Sequence, residues 1–190
     1  MDKIVSIETS GETTTVLIDT NKPSVVNLLR RAILSEIETY AIDVVIFDVN
    51  TSPRYDEIIA LRLGQLVIDH TLFQPTGEEF RTNINFSGPG EFTSDDIPGI
   101  PFTYRTPIAT LLAGQTIKCE VIVKKGIGRT HVKWRPVSTV SIKEQAAGYR
   151  LTFKSIGMMP GEQIIREAIP KIEEAANRKP INLFFGIISE

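Results

Sequence analysis

Apolar positions between residues 21 and 43 (NKPSVVNLLRRAILSEIETYAID) recur at spacings of three and four: Val25, Leu28, Leu29, Ala32, Ile33, Ile37 and Tyr40. That period gathers them on one side of a helix and leaves Arg30, Arg31, Ser35, Glu36 and Glu38 on much of the other. The pattern predicts a helix of about five turns running straight into a strand. Asn21 is placed to cap its start, and Pro23 falls in the first turn, where a missing N–H is harmless. An apolar side this broad needs more cover than one small sheet supplies. One flank is expected on the chain's own sheet and the other on a second polypeptide. Val25, Leu28, Leu29, Ala32, Ile33 and Ile37 are therefore the candidate dimer interface.

Alternation over residues 3–8 and β-branched residues over 13–18, around a turn at 9–12, predict a hairpin directly before this helix. Residues 42–49 read as extended until Asn50-Thr51-Ser52-Pro53 interrupts them. Asp56 and Glu57 open a short helix, where acidic side chains suit the positive N-terminal end, and Gly64 is placed to stop it. A short strand is expected at 66–68, and further strands at 80–87 and 90–93. Three prolines mark 94–107 as a connection. Residues 108–113 read as a helical turn, 117–123 as a strand, and 124–136 as a loop. Strands follow at 137–142 and 149–155. The second amphipathic helix begins near Pro160, with Ile164, Ile165, Ala168, Ile169, Ile172, Ala175 and Ala176 on one side. Pro170 lies inside it, where proline typically costs ~3 kcal/mol and kinks the helix. The apolar tail at 181–188, with Phe184 and Phe185, is expected to dock on this chain or on a partner. These elements make an α+β chain. If its front and back strands share one antiparallel sheet, the β-rich middle is an insertion into it.

Composition bounds what such a chain can do. The apolar share of 42% and charged share of 23% suit a folded chain of one or two small domains. A net charge of −2 argues against an electrostatic grip on nucleic acid by the whole protein. The single cysteine, Cys119, excludes an internal disulfide and any cysteine-based metal cluster, and suits a reducing compartment. Neither an 18-residue apolar run nor a signal-peptide pattern is present, so no membrane span is expected.

Catalytic groupings are likewise missing. Asp56 and Glu57 are adjacent, so on a helix they point about 100° apart and cannot act as an acid/base pair. Gly126-Ile127-Gly128 lacks the GK[ST] ending of a phosphate loop. His70 and His131 have no metal-ligand spacing and no nucleophile to serve. No catalytic residue, metal or cofactor is expected. The one concentration of positive charge is 124–135, with Lys124, Lys125, Arg129, Lys133 and Arg135 beside Trp134. It reads either as a nucleic-acid-binding module, pairing with phosphates and stacking on bases, or as a solvated or protein-facing loop. The acidic balance elsewhere favours the second reading.

Four stretches carry a resemblance. NLLRRAILSEIETYAID (27–43) resembles the α-motif of RNA polymerase assembly subunits: bacterial alpha, its archaeal D-type counterpart, and the third-largest subunit of eukaryotic polymerase II with its polymerase I/III relative. NTSPRYDEIIALRLGQLVI (50–68) is similar to that family's N-T-S, D-E, H-R-L-G run. GIGRTHVKWRPV (126–137) resembles its glycine-rich H-x-K-W-x-P-V loop, and YRLTFKSIGMMPGEQIIREAI (149–169) its closing strand and helix. Order and rough spacing are kept over most of the chain.

The resemblance implies a split dimerisation domain at 1–43 and 144–190, interrupted by an insertion domain at 44–143. It implies a non-catalytic scaffold within a DNA-directed RNA polymerase, acting inside the cell with the transcription machinery. The expected partners are a smaller alpha-like subunit, the second-largest subunit and small polymerase subunits, with DNA met only through the complex. Asn27, Arg30, Arg31 and Glu36 would belong to the assembly helix, with Arg30 and Arg31 among the residues that contact a large subunit. Asp56, Glu57, Arg62 and Gly64 would contact the second-largest subunit, and His131, Lys133 and Trp134 would belong to a second contact loop. Leu61 stands where many members have histidine. The cysteine-rich insert of some relatives is missing, and a minimal form without the DNA-contacting domain of bacterial alpha is expected.

Overall fold

A computed structural model describes residues 3–77, 79–177 and 186–187, with side chains through residue 174. Its strands are β1 (Lys3–Ser10), β2 (Thr13–Asp19), β3 (Glu38–Asn50), β4 (Glu79–Ser87), β5 (Gly90–Thr93), β6 (Pro107–Leu111), β7 (Thr116–Ile127), β8 (Val137–Gln145), β9 (Gly148–Ser155) and β10 (Gly186–Ile187). The helices are α1 (Pro23–Ser35), α2 (Asp56–Gly64) and α3 (Gly161–Asn177). The chain divides into two compact units: Met1–Glu38 with Ile127–Glu190, and Thr39–Gly126.

The discontinuous unit is a five-stranded sheet in the order β10-β1-β2-β9-β8. β1, β2, β9 and β8 are antiparallel to their neighbours, and β10 runs parallel to β1. The β1–β2 hairpin forms as the alternation predicts, with Gly11 at a φ of 59° in its tight turn, a conformation that costs glycine little. α1 lies against β8 and β9, and α3 against β1 and β2. Val16, Ile18, Leu151 and Phe153 point from the sheet into a core shared with Val26, Leu29 and Ile33 of α1 and Ile164, Ile165 and Ala168 of α3. Gly161 opens α3 directly over Thr14, and a Cβ there would overlap the threonine side chain.

The second unit has a three-stranded sheet, β3-β7-β4, and a β5–β6 hairpin. α2 turns Ile59 and Leu63 into its core, beside Ile68, Ile84, Phe92 and Ile108. Tyr40, Phe73 and Phe80 add an edge-to-face chain, with ring centroids 5.3 and 5.4 Å apart.

Several elements depart from the sequence pattern. α1 ends at Ser35, not near Tyr40. Ile37 is buried in the core just after the helix, while Thr39, Tyr40 and Ala41 already belong to β3. Residues 108–113 hold no helical turn, because Gly90–Leu111 and Glu91–Thr110 pairing makes β6 a strand. Residues 124–127 continue β7, with Lys124 registered against Glu79, so the expected loop begins later. Within 66–68 only an isolated bridge forms, between Ile68 and Phe102. α3 continues through Pro170, which sits on its exposed side, where water can reach the carbonyl that proline leaves unbonded. The division falls at 38/39 and 126/127 instead of 43/44 and 143/144: residues 39–43 already belong to β3, in the sheet with β7, and β8 pairs along its length with β9. The apolar tail at 181–188 lies outside the described residues except for Gly186 and Ile187.

Candidate functional site

α1 presents less surface than its sequence promises. Val25, Leu29, Ala32, Ile33 and Ile37 are at most 4% exposed, all within the chain's own core. Of the six candidate interface residues only Leu28 is half-buried, and it reaches the outside of the helix pair. The sequence could not separate these positions, because a helix between a sheet and a neighbouring helix shows the same broad apolar side as one reserved for a partner.

Leu28 opens onto a groove of about 540 Å³, lined also by Arg31, Ala32, Glu36, Glu38, Ile127, Arg129, Lys171, Ile172 and Glu174. Its floor is aliphatic and its rims are charged. Arg129 Nη2 lies 2.7 Å from Glu36 Oε2, and Lys171 Nζ lies 3.3 Å from Glu38 Oε1. Lys171 and Glu174 were missed by sequence reasoning. Their only signal was their place at the polar border of the α3 stripe.

The glycine-rich stretch owes its composition to α1. Arg129 N–H donates to the Ser35 carbonyl at 3.1 Å, and Gly128 passes so close to the Leu34 carbonyl that a Cβ would overlap it. His131 caps the following 3₁₀ turn (Val132–Trp134) by accepting the Lys133 N–H at Nδ1, 3.1 Å. Lys133 Nζ sits 4.5 Å from the centre of the Trp134 ring, and Trp134 is itself buried. Of the three, His131 is the exposed one. The basic stretch is therefore not a free cationic loop: Arg129 pairs with Glu36, Lys124 with Glu79 at 2.9 Å, and Lys133 with an aromatic face.

In the second unit the predicted residues divide between scaffold and surface. Arg62 Nη1 donates to the Ile108 carbonyl at 2.7 Å, which ties α2 to β6. Gly64 is half-buried at the end of α2, over the Ile42 carbonyl. Asp56 and Glu57 are exposed, and Asn50 Nδ2 donates to Asp56 Oδ1 at 2.6 Å. Asn50 Oδ1 accepts from both N–H and Oγ of Ser52, so the N-T-S segment is a hydrogen-bonded platform under the start of α2. Arg30 lies on the polar side of α1, its Nε donating to Asn27 Oδ1 at 3.0 Å, and Arg31 is exposed. Sequence reasoning missed the outward row Tyr55, Ile58 and Leu61, which are 80%, 40% and 59% exposed. Their spacing of three was the signal.

This arrangement has a discontinuous sheet-and-helix unit, a second unit between its halves, and glycine-rich and N-T-S segments each built for a close backbone fit. A family model described as the RNA polymerase Rpb3/Rpb11 dimerisation domain matches residues 15–176. The chain belongs to that family. Relatives named DNA-directed RNA polymerase subunit Rpo3 agree with the match. The one from Methanocaldococcus jannaschii is 32% identical over 155 residues, 79% of this chain and 80% of the relative. That of Pyrobaculum arsenaticum is 33% identical over 155 residues, 71% of this chain and 60% of the relative. That of Archaeoglobus fulgidus is 34% identical over 140 residues, covering 64% and 53%. The aligned region thus spans little more than half the length of two of these three relatives. Among the described residues no three histidine, cysteine or acidic side chains converge on a metal position. No described helix is long and apolar enough to cross a membrane.

Proposed function

We propose that this chain is a non-catalytic assembly subunit of a multisubunit DNA-directed RNA polymerase, working inside the cell with the transcription machinery. It pairs with a smaller homologous subunit through the α1–α3 side of its discontinuous unit. The pair then seats the large catalytic subunits, the second-largest against the α2 platform, and small polymerase subunits join it. DNA is met only through the complex, and the chain binds no cofactor of its own. The observation that carries this reading is the family match across both halves of the discontinuous unit and the unit between them.

The physical requirement is area. Stable protein pairs commonly bury on the order of 1,200–2,000 Å², enough to offset lost rotational and translational freedom. Leu28, half-buried at the aliphatic floor of the groove, and the exposed row at Tyr55, Ile58 and Leu61 are among the apolar contributions that the described residues offer. The competing nucleic-acid-binding reading has less to stand on, because three of its five cations, Lys124, Arg129 and Lys133, are engaged with carboxylates or an aromatic ring.

The test is to tag the chain in its native source, purify it gently and weigh the complex by native mass spectrometry. A smaller homologous chain together with two large subunits is the expected result. A bare monomer or homodimer would overturn the reading.

A further inference from the structure

α1 reaches its C-terminal end without the usual electrostatic support. Its last turn carries no basic residue, and its closing residue, Glu36, is acidic at the negative end of the helix dipole. The support comes from a distant part of the sequence. The turn at 127–131 crosses the end of α1: Arg129 N–H donates to the Ser35 carbonyl, and the Arg129 guanidinium meets Glu36 at 2.7 Å. Gly128 lets the turn lie directly against the Leu34 carbonyl. Ile127 and Arg129 of this strap, with Glu36 of the helix end, form one wall of the groove that Leu28 faces.

We propose that the Arg129–Glu36 pair is a positioning device for partner capture: it fixes the strap on the end of α1 and so holds the groove open in its binding shape. The inference rests on the proposed scaffold function and deepens it. An exposed ion pair contributes little to folding. A pair that holds a binding surface in place acts instead through the ordering cost of association, which a preformed wall removes. Charge order, not the presence of charge, is what the geometry requires. Reversing either partner puts like charges together at the helix end, and reversing both restores the pair in the opposite sense.

The experiment uses full-length chain co-expressed with the smaller homologous chain of the same source, with affinity and thermal unfolding measured for each variant. Arg129→Glu and Glu36→Arg should each weaken partner binding about ten-fold, and the double reversal should recover most of that loss, the signature of a direct coupling. Unfolding of the unpartnered chain should shift by no more than about 5 °C in any of the three. If both single variants bind as the wild type does, or the double reversal recovers nothing, the positioning role is overturned while the scaffold reading stands. If the wild-type chain captures no smaller partner, the scaffold reading falls and the inference with it.

Discussion

His70 Nε2 accepts the backbone N–H of Tyr40 at 2.8 Å, and the two rings lie 5.2 Å apart, so a buried imidazole fastens the segment after α2 to the start of β3. Burial is the main influence on this ring and holds its pKa below the usual 6.5, with Lys125 acting in the same direction and Asp69 against it. With the amide as donor, the Tyr40 bond is open only to the neutral ring, so acid breaks it.

The sign of the pH dependence follows from that depression. The unfolded ring takes up a proton near pH 6.5 and the folded one only at lower pH, so the contribution to stability is complete above 6.5. It is lost as pH falls through the folded value. Urea unfolding between pH 8 and pH 5 should show stability declining below 6.5 more steeply in the wild type than in His70→Gln, which keeps an acceptor and cannot titrate. Equal slopes would show that the His70–Tyr40 bond is not the acid-sensitive element.

Leu28 and Leu29 are neighbours with opposite roles. Leu29 is fully buried, and Leu29→Asp places a carboxylate in the core of the discontinuous unit. It should prevent folding, since burying an aliphatic side chain of this size contributes about 1.5–3 kcal/mol and an unpaired charge costs more. Leu28→Asp faces the groove at a half-buried position, and on the proposed scaffold function should lower the unfolding temperature far less than Leu29→Asp while abolishing co-purification of a smaller homologous subunit. Intact pairing in Leu28→Asp would remove the groove from the interface.

The separation of those two leucines is also where the sequence stopped being legible. The hairpin, α2 and the start of α3 follow from local signals: a turn at Gly11, acidic residues at the N-terminus of α2, and Pro160 directly before Gly161 at the start of α3. The end of α1 does not. Ile33, Ile37 and Tyr40 keep helical spacing across the break, and what ends the helix is commitment of Thr39 to Asn50 to a sheet with β7, a pairing distant in sequence. β6 was hidden for the same reason, since Ile108 to Leu111 become a strand only by pairing with β5. For the candidate site, motif order pointed to α1, to the N-T-S segment with α2, and to 126–137. It could not show that Arg62 donates to the Ile108 carbonyl and Trp134 is buried, or that Lys171 and Glu174 line the groove.

Cys119 lies in β7 at 1% exposure, and burial, with smaller contributions from Asp48 and Asp56, pushes its thiol up to about 11. The thiolate is the reactive form, so at neutral pH the native chain holds almost none of it. Labelling by a thiol reagent at pH 7.5 should be negligible for the native protein and complete in denaturant. Because the single cysteine sits in the second unit, labelling at intermediate urea reports opening of that unit specifically. Rapid labelling without denaturant would mean that β7 is not held in the sheet as described.

Arg62 offers a sharper choice between fold and contact. Sequence resemblance puts it among the residues that meet a large subunit, yet its guanidinium donates to the Ile108 carbonyl at 2.7 Å, on the inside of the α2–β6 junction. Arg62→Met keeps the aliphatic stem and removes the donors. A hydrogen bond from a charged group is typically worth about 1.5–3 kcal/mol, and the Ile108 carbonyl would lose that donor. Urea unfolding should show a loss of that order, and seating of the second-largest subunit should weaken only as far as the α2 platform loosens. Leu61→Asp, on the exposed side of the same helix, should do the reverse: stability held, seating lost. If instead Arg62→Met keeps full stability and still fails to assemble, then the guanidinium leaves Ile108 to meet the partner directly. The α2–β6 tie would then belong only to the unpartnered chain.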